Sequence, residues 1–182
     1  MKTTKLLLLI SRKIDELSEK IGMVSKWSVI LMLSIGFWNI IGRYVGSLLG
    51  QNISSNNLIE SQWYLFDIIF LLGISWTHKR KGHVRVDVIQ NRLQKFQKNK
   101  IEHIGTLFLL LPFAFTIMII SVKPALYSLS IYEVSPDPNG LPRYLIKMLI
   151  PLSFLFLGLQ GISEAIKINH INTTSLKSTK ID

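Results

Sequence analysis

The sequence lacks cysteine and the short motifs that mark common enzyme classes. None of its 182 residues is cysteine, which excludes disulfides, thiolate catalysis and metal or iron–sulfur sites built on cysteine. It also contains no G-x-S-x-G, H-E-x-x-H or P-loop motif, the patterns typical of hydrolases, zinc proteases and nucleotide-binding proteins. We therefore do not expect an enzyme.

Acidic residues are also few. The chain has 11 Asp and Glu against 21 Lys and Arg, a formal net charge of +10. Three blocks, 1–26, 79–100 and 167–182, hold six, eight and three of the basic residues. Blocks of this kind flank membrane spans on the cytoplasmic side, next to anionic lipid head groups. The pattern does not predict a nucleic-acid-binding surface.

Long apolar stretches are abundant, and 48% of the residues are hydrophobic. From Gln62, an apolar run of membrane-spanning length passes directly into the basic block that begins at Lys79. The basic block predicts that this end of the span faces the cytoplasm, which sets the direction of every other span. We predict an all-α integral membrane bundle at 26–166, in contact with lipid, with both termini cytoplasmic. Its four transmembrane helices are expected at about 27–49, 58–78, 101–129 and 143–166.

Three segments outside these spans complete the predicted architecture. Residues 1–25 carry apolar side chains at steps of three and four, which predicts an amphipathic juxtamembrane arm. The arm is expected at the inner membrane surface, against a partner, or on the protein's own helices. The stretch 79–100 predicts a turn at Gly82 followed by a short cytoplasmic interfacial helix. Residues 167–182 predict a cytoplasmic tail without regular structure.

Three charged side chains, Arg43, Glu60 and Asp67, and the amide of Asn39 fall within the first two predicted spans. A charged side chain in a membrane costs about 2.5 to 3.5 kcal/mol on insertion scales, so such groups are expected to be paired. Asn39 and Arg43 share a helix face because they are four residues apart. We expect Arg43 at a depth similar to that of Asp67. We hypothesise that Arg43 pairs with Glu60 or Asp67, within the chain or across to a partner.

Glycine recurs at every fourth residue near the end of the first span, at Gly42, Gly46 and Gly50. Small residues at this period let helix backbones approach closely in a membrane. We therefore predict a helix-packing face there. The alternative is that these glycines only loosen the end of the helix.

A second polar group is predicted where the third and fourth spans meet. The loop between them carries Glu133 and Asp137, and the fourth span carries Arg143 and Lys147. These charges predict a small ion-pair cluster at the outer corner, on a loop that three prolines make rigid. Within the third span, Pro112 predicts a kink.

Three histidines are expected at the inner ends of the second and third spans: His78, His83 and His103. Two histidines at matching depth on neighbouring helices are able to ligate a b-type haem, as in membrane anchors of respiratory enzymes. Histidines at a membrane interface also occur as simply solvated side chains. No cofactor is the primary expectation, and a haem-binding membrane anchor of a respiratory complex is the alternative.

Seven short motifs are spread along the chain. They are NIIGRY at 39–44, E-x-x-WYLF at 60–66, FLLG at 70–73, GHVRVD at 82–87, EVS at 133–135, GLP at 140–142 and IP at 150–151. Together they resemble the small DctQ-type membrane subunit of tripartite ATP-independent periplasmic (TRAP) transporters. Within this family they resemble the branch associated with mannitol or chloroaromatic-type substrates. The resemblance covers about residues 25–166, and its most specific part is the HVRVD element.

The resemblance implies a subunit of the bacterial inner membrane that has four transmembrane helices and no catalytic residue. It implies two protein partners. A large membrane subunit carries the substrate and sodium sites and moves as an elevator, and a periplasmic solute-binding protein delivers the solute. Transport is then driven by an ion gradient, while the small subunit braces the large one and helps to dock the binding protein.

By match to the motifs, five positions are implied for assembly of such a complex: Arg43, Glu60, His83, Arg85 and Asp87. For Arg85 and Asp87, a local ion pair that closes the turn is the alternative.

Overall fold

The computed structural model describes residues 2–51, 54–82, 95–138 and 140–178, which form an all-helical bundle. The elements of this part are α1 (Lys2–Leu49), α2 (Asn56–Lys79), α3 (Lys95–Gly105), a π-helical turn (Thr106–Leu110), α4 (Leu111–Ser130) and α5 (Arg143–Ser178). Because the π-helical turn joins α3 to α4 without a break, there are four helical rods long and apolar enough to cross a membrane. The predicted all-α bundle of four membrane helices is confirmed.

The bundle has two chemically different ends. At the basic end, α1 begins, α2 ends, α3 begins and α5 ends, next to the basic blocks of the sequence. At the loop end lie the connection after α1 and the connection 131–142 between α4 and α5. Neither end is defined by the orientation of the chain in the membrane.

The first helix joins two predicted segments into one. α1 runs for 48 residues without interruption, about 72 Å at helical rise. The predicted arm at 1–25 and the first span are therefore a single rod, more than twice as long as the roughly 30 Å hydrocarbon core. Of the three surroundings expected for the arm, this structure shows the protein's own helices, since α1 packs on both α2 and α5.

The face of α1 that packs on the bundle is lined with serine. Ser11, Ser18 and Ser25 recur at every seventh residue and are buried. Ser11 Oγ lies 2.8 Å from Ser163 Oγ on α5, and Ser18 Oγ donates to Gln160 Oε1 at 2.6 Å. Ser25 Oγ donates to a backbone carbonyl of α2 at 3.0 Å. These three serines, with Ser163 and Gln160, are called the serine seam below.

The apolar side chains of the arm point the other way. Leu6, Leu17 and Val24 are exposed, whereas Ile21 is buried. Small side chains allow close approach of helices where lipid removes the hydrophobic drive for association, and hydrogen bonds then hold the helices together. The bundle is consequently small and polar inside and apolar outside.

The third rod contains a wide turn in place of a simple kink. The π-helical turn ends immediately before α4, and Pro112 is the second residue of α4. Proline has no N–H to donate to the carbonyl four residues earlier, and a locally widened turn accommodates the missing bond. The predicted interfacial helix falls mainly on residues 83–94, outside the described part of the chain, and α3 continues directly into this rod.

The end of α5 corrects the prediction for the tail. No regular structure is expected after residue 167, yet α5 continues to Ser178. Lys167 Nζ lies 2.6 Å from Asp15 Oδ2 and so ties this part of α5 to α1. The hydrophobicity pattern shows where the apolar part of α5 ends. It does not show that α1 extends equally far and contacts the following turn of α5.

The contact between α1 and α2 leads to a prediction. A Cβ atom at Gly22 would lie 2.2 Å from Cδ1 of Trp76, whose Nε1–H donates to Glu19 at 3.1 Å. The rigid indole cannot yield without losing that bond. We expect Gly22→Ala to destabilise the bundle by about 1 to 3 kcal/mol, seen as a lower Tm in detergent. Gly105→Ala, with no atom within 4 Å, is the control that should leave Tm unchanged or raise it. Equal losses at both positions would contradict this packing.

Candidate functional site

At the loop end, one carboxylate holds the connection between α4 and α5. Glu60, on α2, is 2% exposed. It accepts hydrogen bonds from Ser135 Oγ and, at 2.5 Å, from the Leu141 N–H. The Ser135 N–H also donates to the Leu141 carbonyl at 3.0 Å, so the loop folds back on itself. A Cβ atom at Gly140 would lie 2.4 Å from Ser135 Cβ, and this fold therefore requires glycine there.

The predicted charges of this corner lie close together. Lys147 Nζ donates to Glu133 Oε2, and the backbone N–H of Arg143 donates to the Glu133 carbonyl at 2.8 Å. The hydrogen bond from the Lys147 ammonium holds the pKa of the Glu133 carboxyl below its ordinary value. Asp137 contributes a backbone carbonyl that accepts the Gly140 N–H at 2.9 Å. Residues 131–138 and 140–142 thus form a fixed segment, called the projection below.

The hypothesis that Arg43 pairs within the chain is wrong, because α1 and α2 run in opposite directions with a definite register. Gly22 faces Trp76, and Gly36 faces Gln62. By this register Arg43 lies level with residue 55, while Asp67 lies level with residue 31. The separation along the helix axis is then about 18 Å, so the expected similar depth is wrong.

Arg43 and Asp67 consequently lie far apart. Arg43 is exposed and makes no hydrogen bond or ion pair with the described residues. Glu60 is bonded to the loop. Asp67 is half-buried and likewise has no hydrogen bond or ion pair in the described part of the chain. Pairing of Arg43 or Asp67 with another protein stays a hypothesis.

Asn39 and the glycines share the end of α1. Asn39 is buried and its Oδ1 accepts from Ser54 Oγ at 2.5 Å. Gly42 and Gly46 are buried on the same side. Gly50 follows the last helical residue with a φ of +65°, a left-handed conformation that favours glycine and ends helices. Gly50 thus terminates α1, and a helix-packing role for Gly42 and Gly46 stays a prediction.

At the basic end, acids on one helix meet cations on another. The ion pairs are Asp15–Lys167 at 2.6 Å, Glu19–Lys79 at 2.9 Å, Glu19–Arg80 at 3.0 Å, Lys81–Glu102 at 2.8 Å and Lys81–Glu164 at 3.4 Å. The pairs of Asp15 and Glu19 tie α1 to α5 and α2. Lys81, which follows α2, ties α3 to α5. These ion pairs were not predicted from the sequence. The seven-residue spacing of Ser11, Ser18 and Ser25 is the signal that identifies the buried face of α1, on which Asp15 also lies. The implied positions His83, Arg85 and Asp87 lie outside the described residues.

An open cavity of about 600 Å³ lies beside the π-helical turn. Its lining residues are Ile74, His78, Glu102, Gly105, Thr106, Leu109, Leu110, Phe113 and Leu157. Haem ligation would require two histidines facing one space, and among the described residues only His78 lines this one. No group of three or more possible metal-ligating His, Asp or Glu side chains occurs within the described ranges.

The comparison with known families decides between the transporter and the haem-bearing anchor. The family model of the DctQ component of tripartite ATP-independent periplasmic transporters matches residues 32–168. The chain belongs to this family. DctQ proteins are components of TRAP transporters in the inner membrane, which work with a large membrane subunit and a binding protein. The resemblance of the motifs to this family is confirmed, and the narrower resemblance to one branch of it stays a prediction.

One protein similar to this chain belongs to a transporter whose solute is named. The chain is 28% identical over 157 residues to the ectoine TRAP transporter small permease protein TeaB of Halomonas elongata. The match covers 85% of this chain and 77% of that protein. No solved structure matches the chain.

The geometry of the loop end predicts the effect of removing one charge. Glu60→Gln keeps the size of the side chain but replaces one of the two accepting oxygens with a donor. We expect loosening of the loop, seen as faster chymotrypsin cleavage after Tyr132 in detergent. Glu16→Gln makes the same substitution in an exposed pair with Arg12 and should leave the cleavage rate unchanged. Unchanged cleavage in Glu60→Gln would refute the anchoring role.

Proposed function

We propose that this DctQ subunit braces the large membrane subunit of a TRAP transporter and helps to dock the periplasmic solute-binding protein during ion-gradient-driven uptake. The basic end faces the cytoplasm in this proposal, because three basic blocks lie there. The loop end then faces the periplasm.

The observation that carries the bracing role is the set of polar contacts that join the helices. The serine seam joins α1 to α5 and α2 by direct hydrogen bonds, and interhelical ion pairs lock the basic end. Fully bonded polar contacts of this kind favour one arrangement of the helices. A static subunit against which another domain moves needs such rigidity.

The loop end supports the docking role. Two carboxylates, Glu60 and Glu133, hold the projection, while Tyr132 and Val134 on it remain exposed. A rigid loop that presents an aromatic and an apolar side chain loses little conformational entropy when it binds a partner. We therefore assign the contact with the binding protein to this projection.

The proposed orientation is testable because the chain has no native cysteine. A membrane-impermeant maleimide applied to intact spheroplasts should label Tyr132→Cys at the loop end. It should label Arg12→Cys, at the basic end, only after lysis. Both positions are exposed, so accessibility differs only by the side of the membrane. The opposite labelling pattern would overturn the orientation.

A reconstituted system tests the two roles together. The chain should co-purify with the large subunit, and uptake into vesicles should require both subunits together with the binding protein. Tyr132→Ala should lower uptake about tenfold at limiting binding protein, since an aromatic contact residue is often worth a kcal/mol or more. Capture of the large subunit should remain at the wild-type level.

The control is Tyr127→Ala, which removes the same side chain from α4. Tyr132 is 71% exposed and Tyr127 is 67% exposed, so both variants should fold. Equal loss of uptake in the two variants would argue against docking on the projection. Uptake by this chain alone would argue against an accessory role altogether.

A further inference from the structure

Two of the four rods are equally exposed but differ in composition. In α2 and in the rod Gln97–Ser130, only 11% of the most apolar window is buried inside the chain. Nevertheless the rod Gln97–Ser130 is the most apolar of the four and α2 is the least apolar. A helix surrounded by lipid needs apolar side chains, whereas a helix covered by protein tolerates polar ones. This contrast indicates that protein covers α2 in the assembled transporter.

Asp67 gives the same indication independently. It is the twelfth of the 24 residues of α2 and therefore lies about 17 Å from either end, near the middle of the membrane. Its half-buried carboxylate has no hydrogen bond or ion pair among the described residues. One turn earlier, the buried hydroxyl of Tyr64 also has no hydrogen-bond partner there. An ionisable group at this depth is costly unless another protein neutralises it.

The surface beside Asp67 has the composition of a protein interface. Trp63, Phe66 and Phe70 are 59%, 57% and 63% exposed. They lie four residues before, one before and three after Asp67, so they border it on one side of the helix. Aromatic side chains around a central charge are typical of the residues that dominate binding energy.

We propose that Trp63, Phe66, Asp67 and Phe70, here called the α2 stripe, form the contact surface for the large membrane subunit. A helix of that subunit supplies an Arg or Lys side chain to Asp67. This assignment rests on the proposed function. A second copy of this chain fits less well, because a symmetric contact on the same face places two Asp67 carboxylates opposite each other. Lipid offers no cation at the middle of the bilayer.

Cross-linking tests the location of the interface. Phe66→Cys and Phe70→Cys, each labelled with a benzophenone maleimide in the complex within native membranes, should cross-link to the large subunit. The controls are Phe108→Cys and Ile119→Cys on the rod Gln97–Ser130, which are 68% and 66% exposed and should give no protein adduct. Adducts to the large subunit only from the control positions, or adducts between two copies of this chain from the α2 stripe, would overturn the assignment.

Substitution of Asp67 tests the charge. Asp67→Asn should reduce capture of the large subunit about tenfold in detergent, whereas Asp67→Glu, which keeps the charge, should retain most of it. Asp137→Asn makes the same substitution on the loop and should have no effect on capture. Wild-type capture by Asp67→Asn would refute the charge pairing. Failure of the wild-type chain to capture any large subunit would refute the proposed function itself, so the two failures are distinguishable.

Discussion

The structure depends on one constraint: inside a membrane, helices are not driven together by hydrophobic burial. Lipid tails are as apolar as leucine, so association depends on close packing and on hydrogen bonds between helices. This chain packs its helices through buried serines, both at the edge of the first span, where Ser25 donates to a carbonyl of α2, and in the part of α1 that continues beyond the span. Ser11 meets Ser163 and Ser18 meets Gln160 across the contact of α1 with α5, while the leucines of the same helix face outward. The polar contact faces between α1 and its neighbours and the apolar surface of the bundle follow from that inversion.

Satisfied and unsatisfied polar groups divide the molecule into two kinds of region. At both ends, charges are paired within the chain: Glu19 with Lys79 at the basic end, and Glu133 with Lys147 at the loop end. In the middle of α2, Asp67 has no such partner among the described residues. Since burial of an unpaired charge is costly, Asp67 marks the surface that we propose for another polypeptide, whereas these charges at the two ends are neutralised within the chain. This division separates the surfaces that stabilise the subunit from the surface proposed for assembly.

The proposed bracing role of this DctQ subunit gives this division a functional meaning. A subunit that braces a moving partner needs a rigid interior and one interface adapted to that partner. The serine seam and the basic-end ion pairs provide the rigidity, and the α2 stripe is the proposed interface. The projection, anchored to α2 through Glu60, adds a fixed surface at the opposite end of the bundle from the basic blocks. TeaB, at 28% identity, is similar in sequence over most of both chains.

The sequence by itself determined the number of membrane helices and the family, because apolar length, basic flanks and short motifs are local properties. It also grouped Glu133 with Lys147, with which Glu133 pairs, and identified Glu60 as a polar residue of interest without its partners in the loop. Only the tertiary structure decided that Arg43 lies level with residue 55 and far from Asp67, since the register of two antiparallel helices is set by contacts such as Gly22 with Trp76. It also decided that serine faces inward. In lipid an apolar stripe on a helix no longer marks its buried side. The apolar periodicity that predicts the core of a soluble protein therefore does not predict the interior of this bundle.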